Sequence, residues 1–219
     1  MTEIPAATVR SRVRVPLHLG DGYSAEGQVV TFHGLVDGAE HLAIVLGDPD
    51  RASRPLVRLH SECLTGDVFG SARCDCGPQL REGVEKITDQ GGILLYLRQE
   101  GRGIGLYRKL DAYALQDQGL DTYAANTALG LPEDARDYTA AAQMLTALRV
   151  REIDLLTNNP DKADQLRGRG IAVRDQVPTG VFATADNLRY LRAKVEHTRH
   201  TIHLGGLAES GTRVSTPVG

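Results

Sequence analysis

The sequence predicts a mixed α/β fold in which a β-rich amino-terminal part is followed by alternating strands and helices. Two observations support this prediction. Short apolar runs separated by turn residues fill the chain up to about Leu59, and from Gln79 onward apolar residues recur at helical spacing between runs of strand length. We expect residues 1–205 to form a single domain, and the Gly-, Ser- and Thr-rich residues 206–219 to form a disordered tail.

The amino-terminal part contains four predicted strands. Val9–Val15 alternates as V-R-S-R-V-R-V, which is typical of a half-buried strand with arginines on one face. Gly27–Phe32 and His41–Leu46 are apolar runs on either side of the turn signal Asp37-Gly38, so they predict an antiparallel hairpin. Pro55–Leu59 is a further strand.

The rest of the chain alternates between helices and strands. The run G-I-L-L-Y-L is continuously apolar, which is typical of a strand buried on both faces. The predicted strands are Gly92–Leu97, Ile153–Leu156 and Ile171–Val177. The predicted helices are Gln79–Asp89, Leu106–Gln118, Tyr138–Leu148, Pro160–Arg167 and Thr184–His197.

All three cysteines of the chain, Cys63, Cys74 and Cys76, lie within the segment Arg58–Gly77. An odd number of cysteines in one polar, glycine-containing segment favours metal ligands over a set of disulfides. Thiolate is a soft ligand that suits zinc, and three protein ligands with one open position are typical of a catalytic zinc site. A water molecule in that position would have its pKa lowered to about 7.

Two other interpretations of the cysteines remain open at this point. Free cysteines are often small buried apolar residues without a ligand role. Alternatively, His60, three residues before Cys63, is a fourth ligand and closes the site as a structural one.

Composition argues against nucleic acid and membranes as partners. The net charge is −3 and the isoelectric point is about 6.2, so the chain has no overall basic field. No apolar run is long enough to span a bilayer, and Met1–Pro16 lacks the apolar core of a signal peptide. Because a thiolate site needs reduced cysteines, we expect a cytoplasmic protein.

Two loops that join a strand to a helix carry polar groups suited to a phosphate-bearing ligand. Gly101, Gly103 and Gly105 follow a predicted strand, although their spacing is neither a dinucleotide-binding nor a Walker motif. A tight strand–helix turn would explain these glycines equally well. In T-N-N-P-D-K, helix capping would explain Thr157 and the asparagines, but capping does not require Lys162.

The ordered set of motifs resembles the GTP cyclohydrolase II family. The resemblance runs from about residue 55 to 180 without large gaps, and the motifs together are highly specific. The motifs are R-L-H-S-E-C-L-T-G-D (58–67), R-C-D-C-G (73–77), R-Q-E-G-R-G-I-G-L (98–106), A-Y-A-L-Q-D-Q-G-L-D-T (112–122), D-A-R-D-Y (134–138) and L-L-T-N-N-P-D-K (155–162).

The resemblance implies a GTP cyclohydrolase II-like catalytic domain with one zinc ion per subunit, held by Cys63, Cys74 and Cys76. Hydrolysis would open the guanine imidazole ring of GTP at C8 and release formate, as the first step of riboflavin biosynthesis. The other products would be pyrophosphate and 2,5-diamino-6-hydroxy-4-(5-phosphoribosylamino)pyrimidine. The family also implies magnesium on the triphosphate and a homodimer.

The resemblance further implies roles for individual residues. Tyr113 would assist the hydrolytic steps at the base, and Asp134 and Arg136 would act at the α-phosphate. The residues implied in GTP binding are Arg58, Leu59, His60, Ser61, Glu62, Gln79, Glu100, Gly101, Arg102, Thr122, Thr157 and Lys162.

Three alternatives remain open within this resemblance. Arg136 acts as a nucleophile only if a base such as Asp134 removes a proton, and it otherwise stabilises charge on the phosphate or forms a surface ion pair. Some family members lack the tyrosine and stop at the formylated pyrimidine, but Tyr113 is present here. The chain could also be a zinc-stabilised nucleotide-binding module without turnover.

Overall fold

The computed structural model describes residues 5–20, 22–49, 54–120, 122–132, 134–188 and 191. The strands are β1 (Thr8–His18), β2 (Ser24–His33), β3 (Leu42–Leu46), β4 (Leu56–Ser61), β5 (Gly92–Leu97), β6 (Glu152–Leu156) and β7 (Ala172–Val177). The helices are α1 (Leu64–Asp67), α2 (Cys76–Gln90), α3 (Leu106–Asp117), α4 (Thr122–Ala128), α5 (Thr139–Ala147) and α6 (Pro160–Gly168). The predicted mixed α/β class is confirmed.

The amino-terminal strands form the antiparallel half of one seven-stranded sheet, whose order is β1-β2-β3-β5-β4-β6-β7. The predicted hairpin is confirmed, since β2 and β3 are antiparallel and place Val30 opposite Ala43. On its other side β3 pairs with β5, again antiparallel. The β-rich start therefore continues directly into the alternating part of the chain and does not form a separate layer.

Strand β4 lies between β5 and β6 and runs parallel to both. The chain passes from β4 through α2 to β5 on one side, and later returns to β6 on the other side of β4. The carboxyl ends of these three strands meet at one edge, where the order of the strands reverses. Open α/β sheets bind ligands at such a point.

The sheet separates two apolar cores. Val57 and Leu59 of β4 belong to the core that α5 and α6 cover, whereas Leu56 belongs to the core that α2 covers. Since side chains alternate along a strand, Arg58 and His60 lie on the α2 side with Leu56. The carboxyl half of β4 thus carries two buried polar side chains towards α2.

Two helices of the structure were not predicted, and some predicted segments fall on residues that the structure does not describe. The sequence did not predict the short helix α1 or the helix α4. Most of the predicted helix Thr184–His197 and all of the tail 206–219 fall outside the described residues, so the extent of the domain stays a prediction. Within the described ranges, no helix is long and apolar enough to cross a membrane.

Candidate active site

The three cysteines meet beyond the carboxyl end of β4. Cys63 precedes α1, and Cys74 and Cys76 lie at the start of α2. Their sulfur atoms all lie within 4.8 Å of one another, with 3.7 Å between the Sγ atoms of Cys63 and Cys74. All three are free thiols. The cluster predicted from spacing is therefore present, and the cysteines are not scattered apolar core residues.

Two glycines make room for the three sulfurs. A Cβ atom on Gly66 would lie 2.7 Å from the Sγ of Cys74 and 3.1 Å from the Sγ of Cys63. A Cβ atom on Gly77 would lie 2.5 Å from the backbone oxygen of Gly66. Helix α1 can therefore lie directly over the cluster only because both positions lack a side chain.

The electrostatics of the cluster favour a bound cation. Hydrogen bonds from the neighbouring thiols, together with the Lys109 ammonium, hold the pKa of Cys63 far below its ordinary value. The hydrogen bond with Cys63 and burial raise the pKa of Cys74 to about 11, and similar contacts raise that of Cys76. Three adjacent thiolates repel one another, and a thiophilic dication such as zinc removes that repulsion. The donor set fits this ion.

His60 is not a member of the cluster. Its Nε2 donates to the carboxylate of Asp67, at 3.0 Å from Oδ1, and its ring stacks on Tyr96 with 5.6 Å between centroids. Burial lowers the pKa of His60. Among the described residues, the group of potential metal ligands at this place consists of the three cysteines and does not include His60. The interpretation of a closed four-ligand site with His60 is therefore wrong.

Asp67, for which the sequence predicted no role, positions the segment that contains Cys63. Its carboxylate accepts hydrogen bonds from the backbone N–H of Cys63 at 3.0 Å and from the hydroxyl of Tyr96 at 2.9 Å, besides His60. The Asp67 side chain is only 3% exposed. The signal for this residue was its place in the motif R-L-H-S-E-C-L-T-G-D.

The glycine loop after β5 has a left-handed backbone. Gly101 and Arg102 both have φ 61°, and Gly103 has φ 89°. The carbonyl of Arg102 accepts a 3.0 Å hydrogen bond from the N–H of Ala135, and a Cβ atom on Gly103 would lie 3.1 Å from the Ala135 carbonyl. The loop is thus more than a tight turn, because it docks onto the segment that carries Asp134 and Arg136.

Lys109 of α3 joins the glycine loop to the thiol cluster. Its Nζ lies 2.9 Å from the Oε1 of Glu100 and 3.2 Å from the Sγ of Cys63. Burial alone would lower the pKa of Lys109, but these anionic neighbours raise it above its ordinary value. The other carboxylate oxygen of Glu100 accepts from the N–H of Leu64 at 2.7 Å. Sequence reasoning missed Lys109.

A cleft with about 1030 Å³ of free space, including solvent at its mouth, opens over the cluster. Fifteen of the predicted site residues line it: Arg58, Leu59, His60, Ser61, Glu62, Cys63, Cys74, Cys76, Gln79, Glu100, Gly101, Arg102, Tyr113, Arg136 and Lys162. Gln116 and Asn126 also line the cleft and were not predicted.

Three of the predicted site residues are not among the residues that line the cleft. Thr157 is buried, and its hydroxyl accepts from the N–H of Asn159 at 3.0 Å. Asp134 forms a close ion pair with Arg136, which does line the cleft. The side chain of Thr122 lies outside the described residues.

The ion pair of Arg136 and Asp134 is partly buried. The side chain of Arg136 is only 12% exposed and that of Asp134 only 29%. Burial opposes ionisation of Asp134, but the Arg136 guanidinium holds the pKa of that carboxyl below its ordinary value. Arg136 is thus held at the cleft wall by an anionic partner.

Hydrogen bonds also hold the predicted site residues Lys162 and Arg58. Lys162 Nζ donates to the carbonyl of Leu59 at 2.8 Å, whereas Asn159 caps α6, so capping explains the asparagine but not the lysine. Arg58 is 5% exposed and donates from Nη2 to Gln79 at 3.0 Å.

The guanidinium of Arg73 lies over the aromatic ring of Tyr113. The guanidinium carbon of Arg73 is 4.3 Å from the ring centroid of Tyr113, and Arg73 also donates to Asp117 of the same helix at 2.9 Å. Cation–π contacts of this kind contribute about 0.5–2 kcal/mol. The residue before Cys74 therefore fixes the tyrosine at the cleft.

Comparison with known proteins agrees with the motifs. A family model described as GTP cyclohydrolase II matches residues 11–178. A GTP cyclohydrolase-2 of Psychromonas ingrahamii is 52% identical over 192 residues, which cover 87% of this chain and 96% of that protein. A GTP cyclohydrolase-2 of Vibrio cholerae is 50% identical over 194 residues, which cover 88% and 98%. The riboflavin biosynthesis protein RibBA of Nocardia farcinica is 51% identical over 189 residues, which cover 81% of this chain and 46% of that protein. On these findings, the chain belongs to the GTP cyclohydrolase II family of enzymes.

Proposed function

We propose that this protein hydrolyses GTP at C8 of guanine, and that formate, pyrophosphate and 2,5-diamino-6-hydroxy-4-(5-phosphoribosylamino)pyrimidine are its products. The observation that carries the proposal is a cluster of three thiols, with no fourth protein ligand among the described residues, at the wall of a cleft that Arg102, Arg136 and Lys162 also line. Zinc in such a site supplies hydroxide at neutral pH and polarises the bond under attack.

Three cationic side chains line the cleft, and they come from parts of the chain that follow the cysteines in the sequence. Arg102 lies in the loop after β5, Arg136 in the segment before α5 and Lys162 in the first turn of α6, and all three line the cleft. A triphosphate carries several negative charges, which guanidinium and ammonium groups bind. We therefore assign the triphosphate to these three residues, with magnesium as its counter-ion.

The guanine end is assigned to the side of the cleft that contains the thiols. Tyr113, held by Arg73, lines the cleft there and would transfer protons during the hydrolytic steps. Its presence favours the complete reaction over a variant that stops at the formylated pyrimidine.

The pair of Asp134 and Arg136 would act where pyrophosphate leaves. Arg136 either attacks after Asp134 removes a proton or stabilises charge on the α-phosphate. The structure supports a functional role in either case, because the guanidinium lies at the cleft wall and is only 12% exposed. In Arg136→Lys we expect pyrophosphate release to be lost while ring opening continues. Unchanged kinetics in this variant would rule out both roles.

The proposal is tested by incubating zinc-loaded protein with GTP and magnesium and measuring formate, pyrophosphate and the pyrimidine together. Equal amounts of formate and pyrophosphate, with formate lost in Cys74→Ser, are the expected result. Pyrophosphate without formate would indicate the truncated reaction. Bound zinc and bound GTP without any product would indicate a nucleotide-binding module.

The wider setting follows from the same family assignment. We propose that the pyrimidine product enters riboflavin biosynthesis, and that the reduced thiols require a cytoplasmic setting. We also propose a homodimer. Val68, Phe69, Tyr107 and Leu110 are large apolar side chains that are between 43% and 82% exposed in the single chain. Light scattering of the purified protein would give the mass of one chain if this assembly is wrong.

A further inference from the structure

Lys109 is a buried lysine that the sequence did not predict as part of the site. The residue is 8% exposed, although its neighbours Tyr107 and Leu110 on α3 are exposed. Lysine is almost never buried unless it is paired. The ammonium group must therefore have partners that compensate for its burial.

The ammonium has three donors, and three acceptors meet it. Nζ lies 3.2 Å from the Sγ of Cys63, 2.9 Å from the Oγ1 of Thr65 and 2.9 Å from the Oε1 of Glu100. These partners belong to the segment after β4, to α1 and to the glycine loop after β5. A single side chain thus connects the first cysteine to the loop that begins the cation-lined part of the cleft.

Glu100 extends this connection. Besides the lysine, its carboxylate accepts the N–H of Leu64 at 2.7 Å and the N–H of Gly101 at 3.0 Å. The residue after Cys63 and the first glycine of the loop are therefore fixed by the same carboxylate. The Lys109–Glu100 pair therefore holds the backbone next to Cys63 and the backbone at the start of the glycine loop.

We propose that Lys109 is a positioning residue of the metal centre, which holds the Cys63 thiolate through a charge-assisted hydrogen bond and raises the affinity of the three-cysteine site for zinc. The proposal rests on the proposed zinc function. Three thiolates and one dication leave an excess negative charge, which the ammonium offsets at 3.2 Å. Hydrogen bonds to ionised groups are about twice as strong as neutral ones, and losing an outer partner of a metal ligand typically costs about 10–100-fold in affinity.

The alternative is a purely structural role, in which Lys109 and Glu100 form a buried ion pair that only stabilises the fold. That role predicts a lower melting temperature in Lys109→Met and an unchanged zinc affinity of the folded protein. The proposed role predicts a change at the sulfur itself. Lys86 offers a matched control, since its Nζ also pairs with a carboxylate, that of Glu82 at 2.8 Å, and it contacts no thiol.

The experiment is a chelator-competition titration of zinc into the metal-free full chain, with cobalt(II) as a spectroscopic substitute. For Lys109→Met we expect zinc Kd to rise about 10–100-fold. We also expect the sulfur-to-cobalt charge-transfer band to move to lower energy, because a sulfur lone pair loses its positive neighbour. Lys109→Arg should recover part of the affinity, and Lys86→Met should match the wild type.

Equal zinc Kd and equal cobalt spectra in Lys109→Met and wild type would overturn the proposal. If Lys109→Met does not fold, Thr65→Val decides, since it removes one of the three acceptors that hold the ammonium against Cys63. We then expect a smaller but measurable rise in zinc Kd together with a shifted band, and no change would overturn the proposal. A wild-type chain that binds no zinc would instead contradict the proposed function.

Discussion

Gly66→Ala offers a direct perturbation of the thiol cluster. Gly66 lies in α1 with a backbone conformation that alanine adopts freely, so any effect of the substitution comes from the added methyl group. That methyl carbon would lie 2.7 Å from the Sγ of Cys74, 3.1 Å from the Sγ of Cys63 and 3.0 Å from the Cβ of Cys76. The substitution therefore presses on all three ligands at once.

The size of the effect follows from these distances. Non-bonded carbon contacts are optimal at about 3.5–4.0 Å, so at least one sulfur must move by roughly 0.5–1 Å. Zinc–sulfur bonds are about 2.3 Å long and tolerate deviations of only about 0.2 Å. Overpacking of this kind costs about 1–3 kcal/mol. If that cost falls on the zinc-bound state, zinc Kd rises about 5-fold to 140-fold.

The assay is chelator competition for zinc at neutral pH, combined with thermal unfolding of the metal-free protein. Gly168→Ala is the matched control, because a Cβ atom at this helical glycine would meet nothing within 4 Å. We expect Gly168→Ala to leave zinc Kd unchanged and to stabilise the fold by up to about 1 kcal/mol. Wild-type zinc affinity in Gly66→Ala would refute the argument that this glycine makes room for the sulfurs.

Three further predictions concern the loop, the ion pair and the metal. Gly103→Ala should destabilise the protein by about 1–3 kcal/mol and slow pyrophosphate release at unchanged zinc Kd, because φ is 89° and the Ala135 carbonyl is 3.1 Å away. Wild-type product kinetics would contradict this. Asp134→Asn should cost up to about 1 kcal/mol at pH 7. Because the folded-state pKa of this carboxyl lies below its ordinary 3.8, the difference should decrease as the pH falls below 3.8 and vanish only below the folded-state pKa; urea unfolding should therefore show a smaller difference at pH 3 than at pH 7. A chelator should lower the melting temperature of zinc-loaded protein, since a ligand at 1,000 times its Kd stabilises by about 4 kcal/mol; an unchanged melting temperature would contradict a zinc site.

Local patterns predicted most strands because their signals lie within a few residues. The apolar run of β5 and the hairpin of β2 and β3 are confirmed with small shifts at their ends. The position of β5 between β3 and β4 had no such signal, because strand order depends on contacts between distant segments. Helix α4 was missed because T-Y-A-A-N-T-A has no clear apolar face.

The residues of the candidate site also fall into those that local sequence predicts and those that only the fold reveals. The cysteines were predictable because three soft ligands stand close together in the sequence. Lys109 was not, because it looks like an ordinary surface lysine on an amphipathic helix and its thiol partner is 46 residues away. Motif resemblance could have drawn attention to Asp67 and Gly66, which lie between predicted ligands, but only the folded arrangement shows what their atoms contact.

The most direct test of the central claim is to titrate zinc back into the metal-free protein in the presence of GTP and magnesium while measuring formate. The account predicts no formate without zinc, a linear rise as zinc is added, and saturation at one zinc per chain. Formate release that is independent of zinc, or its absence once one zinc per chain is bound, would contradict the claim that the three-cysteine centre opens the guanine ring.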